Sequence, residues 1–398
     1  MIQKKLFCIF LILSFIPGKS QHNVILEALD APSDPQFTIV GCATALGYLA
    51  QGLPANSLDI AAGQQIQVNV IAPGPYNFTT NTANGVSFSA SGTFTGTGLQ
   101  TVTLIASGTP INYSINDNIN VYLYSAVNTT GTNAGSCAFF RKTYLPDQNY
   151  TGTIRNDGQH RFLYKVITGP GNKQWLQTNL GAHYNQVGHP SFNPEMSATG
   201  VDDYLAFGSL FQVGRNSDGH ELVNWTSAVT ATGLSSTSTP SPAQSTMGNT
   251  GLFYTLTSAV LQPQSYYANV SRVLENRIIA GPGMPCPNGF ITTDNRSYDD
   301  YPPSSYNAGG AYWISNPLKL VAPKVYRNAA NGNLVSYNRR LIRTASTGIF
   351  PSTTGASAQF VIEGGDLGNP QHFDRRYIES SQDPRGNLDG YPVRCVKP

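Results

Sequence analysis

The sequence predicts an all-β antiparallel sandwich followed by a second, more irregular domain. Three observations lead there. Residues 21–140 contain no Lys or Arg, and every basic residue beyond the leader starts at Arg141. Within that cation-free stretch, polar and apolar residues alternate with period two, the pattern of half-buried strands. Turn-forming residues recur between those runs at roughly ten-residue spacing, the rhythm of an antiparallel sandwich.

Composition supports this reading. A chain of 398 residues holds two domains or one large one. Hydrophobic residues at 40% can fill a core, so the chain is not disordered. Charged residues reach only 12%, against roughly 25% in an average soluble protein. Ser, Thr, Asn, Gln and Gly must therefore keep the surface wet, which suits an exported β-rich protein. Coiled coil, collagen and a multi-span membrane protein are excluded. The formal net charge of +2 gives no strong field for nucleic acid or membrane, so neither is an expected partner.

Residues 1–20 read as a secretory signal. Lys4 and Lys5 form a basic start, residues 6–16 an apolar run, and residues 17–20 (PGKS) a small-residue cleavage region. The run is shorter than the roughly 20 residues needed to span a bilayer. Cleavage after Ser20 removes Lys4, Lys5 and Lys19 and no acid, so 24 basic residues become 21 against 22 acidic ones. No later stretch is apolar enough to span. Cys42, Cys137, Cys286 and Cys395 remain, an even count that suggests disulfides in an exported chain, with three connectivities open. Cys42–Cys137 with Cys286–Cys395 is favoured, because each pair then closes one domain. No Cys-x-x-Cys is present, which argues against a zinc knuckle or redox dithiol.

The expected elements follow in order. Residues 65–71 (QIQVNVI) alternate as a strand, and residues 76–80, 86–90, 100–105 and 119–124 behave similarly. Pro73-Gly74-Pro75, Asn84-Gly85, Ser91-Gly92 and Gly96-Thr97-Gly98 supply the links. The composition break places a boundary near residues 141–148, giving a sandwich module over 21–145 and a second domain over 146–398. There, residues 174–182 read as a strand and a turn. Apolar positions 205, 207, 210, 211 and 213 predict a short helix over 202–211, with Asp202 or Asp203 near its N-terminus. Residues 226–250 read as an exposed loop and 285–290 as a turn. Leu318-Lys319-Leu320 is expected to begin a strand, and residues 391–396 to close the chain as another.

Two resemblances add to this. Residues 75–94 (PYNFTTNTANGVSFSASGTF), 97–104 (TGLQTVTL) and Gly108-Thr109-Pro110 resemble a β-sandwich module repeated in surface proteins of Bacteroidota. That implies an immunoglobulin-like sandwich over most of residues 35–140. Residues 149–398 resemble the Fibrobacter succinogenes major paralogous domain. The resemblance is carried by Trp175 with Asn179-Leu180-Gly181-Ala182, and by residues 207–215 (FGSLFQVGR) followed by Asp218-Gly219-His220. It continues through residues 285–290 (PCPNGF), Leu318-Lys319-Leu320, Tyr326-Arg327, Asn331-Gly332 and Val393-Arg394-Cys395-Val396. The sequence departs from the family pattern after residue 290, where Ile291-Thr292-Thr293 replaces Val-Pro-Thr. The resemblance implies an α+β fold, C-type-lectin-like or formylglycine-generating-enzyme-like.

No catalytic constellation stands out. A nucleophile elbow, a phosphate loop and a dinucleotide fingerprint are all missing. His183 and His189 are six apart in a Gly/Pro-rich loop and read as surface histidines. Asp202-Asp203 and the group Asp294, Asp299 and Asp300 read as helix caps and solvated turns before calcium ligands. Arg215, Asp218, His220 and Glu221 either hydrogen-bond a polar ligand or form a buried ion-pair network that fixes a long loop. Trp175, Trp225 and Trp313 read as core residues. Tyr301, Tyr306 and Tyr312 flank Pro302-Pro303 and Gly309-Gly310 and could stack on a sugar ring or a protein partner. A formylglycine-type oxidase would need reduced, exposed thiols, whereas Cys286 and Cys395 fit a structural bridge.

The expectation is therefore a non-enzymatic protein with no metal and no cofactor. It is expected to be exported to the outer-membrane surface, the extracellular space or the periplasm. Adhesion or recognition of a carbohydrate or protein ligand is the leading expectation. Self-assembly as a structural subunit is the second, and a secreted hydrolase the third.

Overall fold

A computed structural model describes residues 36–57, 59–127, 133–152, 158–200, 202–211, 217–237, 251–255, 285–292, 317–328, 331–336, 358–364, 373–379 and 390–397. The leader over residues 1–20 lies outside them, as do Arg215, Trp313, the tyrosines 301, 306 and 312, and the acids 294, 299 and 300.

The first half is a layered β-structure. Its strands are β1 (Gln36–Leu46), β2 (Leu49–Ala50), β3 (Gly63–Ala72), β4 (Gly74–Thr79), β5 (Val86–Phe94), β6 (Gly98–Gly108), β7 (Asn120–Val127) and β8 (Asn133–Arg141). Five of them form one antiparallel sheet in the order β1-β3-β6-β5-β4. The β7–β8 hairpin packs on it as the second layer. Alternation explains why: Ile66, Val68 and Val70 of β3 turn inward with Val102 and Leu104 of β6, while Gln67 and Asn69 do not. Phe88 meets Tyr122 at 4.8 Å and Phe139 at 5.0 Å between ring centres, joining the layers. Burying an aromatic side chain of this size stabilises by roughly 1.5–3 kcal/mol. The Cys42–Cys137 disulfide ties β1 to β8.

The Asn84-Gly85 link is the turn the sequence announces. Both residues take positive φ (49° and 79°) between the bridge partners Ala83 and Val86, as a tight hairpin turn demands. A Cβ at Gly85 would lie 2.5 Å from the Thr109 carbonyl oxygen.

The segment where a boundary was expected pairs with strands on both sides of it. Strand β9 (Thr143–Pro146) pairs in parallel with β2 and antiparallel with β10 (Leu163–Tyr164). Further bonds cross the same seam. The Tyr113 hydroxyl donates to Gln174 Oε1 at 2.5 Å, and the Thr168 N–H donates to Asn116 Oδ1 at 2.7 Å. Lys142 and Lys165 both contact Asp117 Oδ1 and Glu195 Oε2, at 2.6–3.2 Å. The Asp117 carboxyl is held down at about 2 by its hydrogen bonds to the two lysines.

The second half has short strands and long connections. Strands β11 (Val166–Thr168) and β12 (Gln174–Leu176) form a sheet with Cys395–Val396 and Ile291–Thr292. Cys395–Val396 lies between β12 and Ile291–Thr292, and the Cys286–Cys395 disulfide fastens it. The separated motifs of the sequence thus meet: Trp175 pairs with Val396, the Leu180 N–H bonds the Val393 carbonyl at 2.9 Å, and Tyr391 bridges Phe211.

Three expectations are corrected here. The mixed α+β class is not supported for the second half, because helix among the described residues is confined to three single 3-10 turns. Over residues 202–211 one such turn, Tyr204–Ala206, replaces the expected helix. Asp203 starts it, accepting the Leu205 N–H at 3.3 Å. Gly208 stops it at φ 77°, where a Cβ would lie 2.4 Å from the Leu180 carbonyl oxygen. The apolar spacing serves two cores: Phe207 and Leu210 pack in one, Phe211 in another. Residues 318–320 are also irregular, with Lys319 at φ 43°, and the strand starts at Val325.

No described helix is long and apolar enough to cross a membrane. The two disulfides indicate an oxidising, extracytoplasmic setting.

Candidate functional site

The densest chemistry in the described residues is a buried polar chain beneath β10. Its members are Asp147, Asn149, His160, Tyr164, Asp218, His220 and Glu221, all at 4% exposure or less. The local turns aim them. Asp147 Oδ1 accepts the Asn149 N–H at 2.9 Å, and Asp218 Oδ1 accepts the His220 N–H at 3.1 Å. These are Asx turns, the local bonding that Asp favours outside helices.

The side chains then run in series. The Tyr164 hydroxyl donates to Asp147 Oδ2 at 3.1 Å and accepts the Gly181 N–H at 2.9 Å. Asn149 Nδ2 donates to His160 Nδ1 at 3.2 Å. An accepting Nδ1 assigns the proton to Nε2, which donates to Glu221 Oε1 at 2.8 Å. Glu221 Oε2 accepts the Gly219 N–H at 3.0 Å and lies 3.1 Å from His220 Nδ1. His220 Nδ1 also lies 2.5 Å from Asp218 Oδ1. Arg327 holds the segment from behind, donating to the His220 carbonyl at 3.1 Å.

Burial and pairing pull these groups apart electrostatically. Burial opposes ionisation of Glu221, yet hydrogen bonds from His160 and His220 outweigh it and hold the carboxyl well below its ordinary range. Burial pushes the Asp147 carboxyl up to about 6, with the hydrogen bond from the Asn149 N–H opposing. Burial also lifts the Tyr164 hydroxyl well above its usual value. A general acid or base must reach its substrate within hydrogen-bond distance. Among the described residues these groups are enclosed, and their bonds tie together residues far apart in sequence.

Asp218, His220 and Glu221 are thus brought together by the fold, facing inward. Their partners Asp147, Asn149 and His160 were not legible, because the contact from His160 to Glu221 spans 61 positions. Trp175 and Trp225 are buried in the cores. His183, expected at the surface, is only 4% exposed and its ring stacks on His189 at 4.5 Å. The flanking Gly and Pro residues, which favour an open loop, conceal this burial in the sequence. Asp203 serves local turns and accepts the Tyr184 hydroxyl at 3.1 Å.

His183 makes acid sensitivity testable. Burial, with the charge of His189, lowers its pKa from 6.5 to about 4. The unfolded chain then takes up a proton near pH 6.5 while the folded chain refuses it down to about pH 4. The His183 contribution is complete above pH 6.5 and is lost as pH falls toward 4. Asp147 acts oppositely, losing stability as pH rises from 3.8 to about 6. A His183→Leu chain is expected to lose less stability than the parent between pH 7 and pH 4.5, measured as the shift in urea midpoint. An equal loss in both chains would refute this.

No family model matches the chain, and a search of the curated proteins finds no match either.

Proposed function

We propose that the chain is an exported, non-enzymatic surface protein that recognises a carbohydrate or protein ligand through loops of residues 146–398. The observation that carries this reading is how the second half spends its buried polar groups. Arg394 donates to the carbonyls of Leu176, Gln177 and Leu318 and to Asn179 Oδ1, at 2.6–3.1 Å. Asn179 in turn donates to the carbonyls of Phe207 and Val321. Arg327 donates to the carbonyls of Gly332, His220 and Ser235 and stacks over Phe253 at 4.1 Å. Irregular backbone pinned in this way makes a rigid platform for surface loops, where binding residues concentrate.

The motif order over residues 149–398 supports a lectin-like or formylglycine-generating-enzyme-like platform. The step from platform to binding is analogy. The immunoglobulin-like module then serves as spacer, on the outer-membrane surface, outside the cell or in the periplasm. The test is a glycan array and whole-cell binding with the mature chain. Saturable binding that Tyr301→Ala, Tyr306→Ala and Tyr312→Ala together weaken at least roughly tenfold is expected. No binding in either format would overturn the proposal.

A second reading, a structural subunit of a surface assembly, is favoured by one feature. Val121 faces Phe140 across the β7–β8 pair and Leu123 faces Ala138, and all four point outward and exposed. Adjacent apolar residues on one outward face invite association. Concentration-dependent oligomers or fibres in sedimentation, dissolved by Phe140→Ser, would favour it over the monomeric binder.

A further inference from the structure

We propose that Asp218, His220 and Glu221 form a structural site for a divalent transition-metal ion of the zinc class. Asp218 Oδ1, His220 Nδ1 and Glu221 Oε2 come from four consecutive residues, and one donor atom from each side chain lies within 4.8 Å of the others. Among the described residues no other group of His, Cys, Asp and Glu converges so. The donor set is chemically apt. One imidazole and two carboxylates suit zinc and its neighbours, whereas calcium wants six to eight oxygens.

The surroundings add what a ligand triad needs. His160 Nε2 donates to Glu221 Oε1 at 2.8 Å, and Asn149 fixes the ring by donating to its Nδ1. Outer partners of this kind hold ligating groups in orientation. Backbone N–H groups of Gly219 and His220 position the two carboxylates from within the same turn. Both carboxylates are buried at 1% exposure, so an ion held between them and His220 is shielded from bulk water.

His220 Nδ1 lies between the two carboxylate oxygens, at 2.5 and 3.1 Å, as a hydrogen-bonded proton requires. Bonds of roughly 2.0–2.2 Å to a tetrahedral ion put its ligand atoms about 3.3 Å apart. The ion therefore enters by widening the Asp218–His220 pair by about 1 Å, adjusting the carboxylates, whose donor atoms lie within 4.8 Å of one another, and displacing the proton from Nδ1. Three protein donors leave one position for water. With every ligand enclosed, the ion braces the segment and opens no catalytic surface.

The test uses the full mature chain with disulfides intact, first stripped by a chelator. Added Zn2+ is expected to bind at one ion per chain by calorimetry and to raise the thermal midpoint. Co2+ is expected to give the intense visible absorption of a tetrahedral N/O site. His220→Gln should abolish both responses while retaining the parent fold by circular dichroism. Should that variant misfold, Co2+ spectra and metal stoichiometry of the parent decide alone. No bound ion, no thermal shift and no Co2+ spectrum in the parent would overturn the proposal, as would unchanged binding by folded His220→Gln.

Discussion

Replacing Cys286 and Cys395 together with serine is expected to remove most of the stability of the second half. The bridge joins residues 109 apart. Chain-entropy arguments value a closed loop of that size at about 4–5 kcal/mol, and measured losses on deleting native bridges run to about 2–5 kcal/mol. The second half has little with which to absorb such a loss. The strands the bridge fastens, Cys395–Val396 and Ile291–Thr292, are two residues each. The matching change at Cys42 and Cys137, 95 residues apart, should cost a similar amount. It should nevertheless leave the first half folded, because β1 and β3 pair over most of their length. Urea unfolding followed by limited proteolysis distinguishes the two. Full protease resistance of residues 146–398 without the Cys286–Cys395 bridge would contradict the account.

Arg394→Met is expected to cost several kcal/mol, because it leaves buried neutral acceptors without their donor. The guanidinium satisfies three carbonyls and the Asn179 side chain, and it is 1% exposed. Methionine fills similar volume but leaves those acceptors bare, each costing about 1–3 kcal/mol. Relief from no longer burying a charge offsets part of this. Arg394→Lys keeps the charge but loses the planar fork that reaches several acceptors at once, so it should fall between. Thermal melts check the order parent, Lys, Met. A methionine variant melting with the parent would show that the carbonyls find other donors.

The two halves were not equally legible. In the first, period-two alternation over residues 65–71 marked β3, and the other four runs fall on β4, β5, β6 and β7. Alternation works there because one face of each strand is buried and the other wet. In the second half the same rules misplace a helix and a strand. Short strands carry too few residues to show a period, and positions 205–211 feed two separate cores. The sequence neighbours Asp218, His220 and Glu221 could be singled out from type and spacing alone. His160 and Asp147 could not, because only the closed fold brings them near. The expected boundary near residues 141–148 contains β9, and the composition break there gave no hint that this strand is the middle of a sheet joining both sides.

The placement of Cys395–Val396 between β12 and Ile291–Thr292 constrains the order of assembly. A chain threaded through an export pore from its amino end can complete the first layered body early. The second must wait, its two flanking strands held apart, until residue 396 has emerged to wedge between them. During that interval the half-made sheet is an open template, exposed to mispairing until the Cys286–Cys395 bridge closes it.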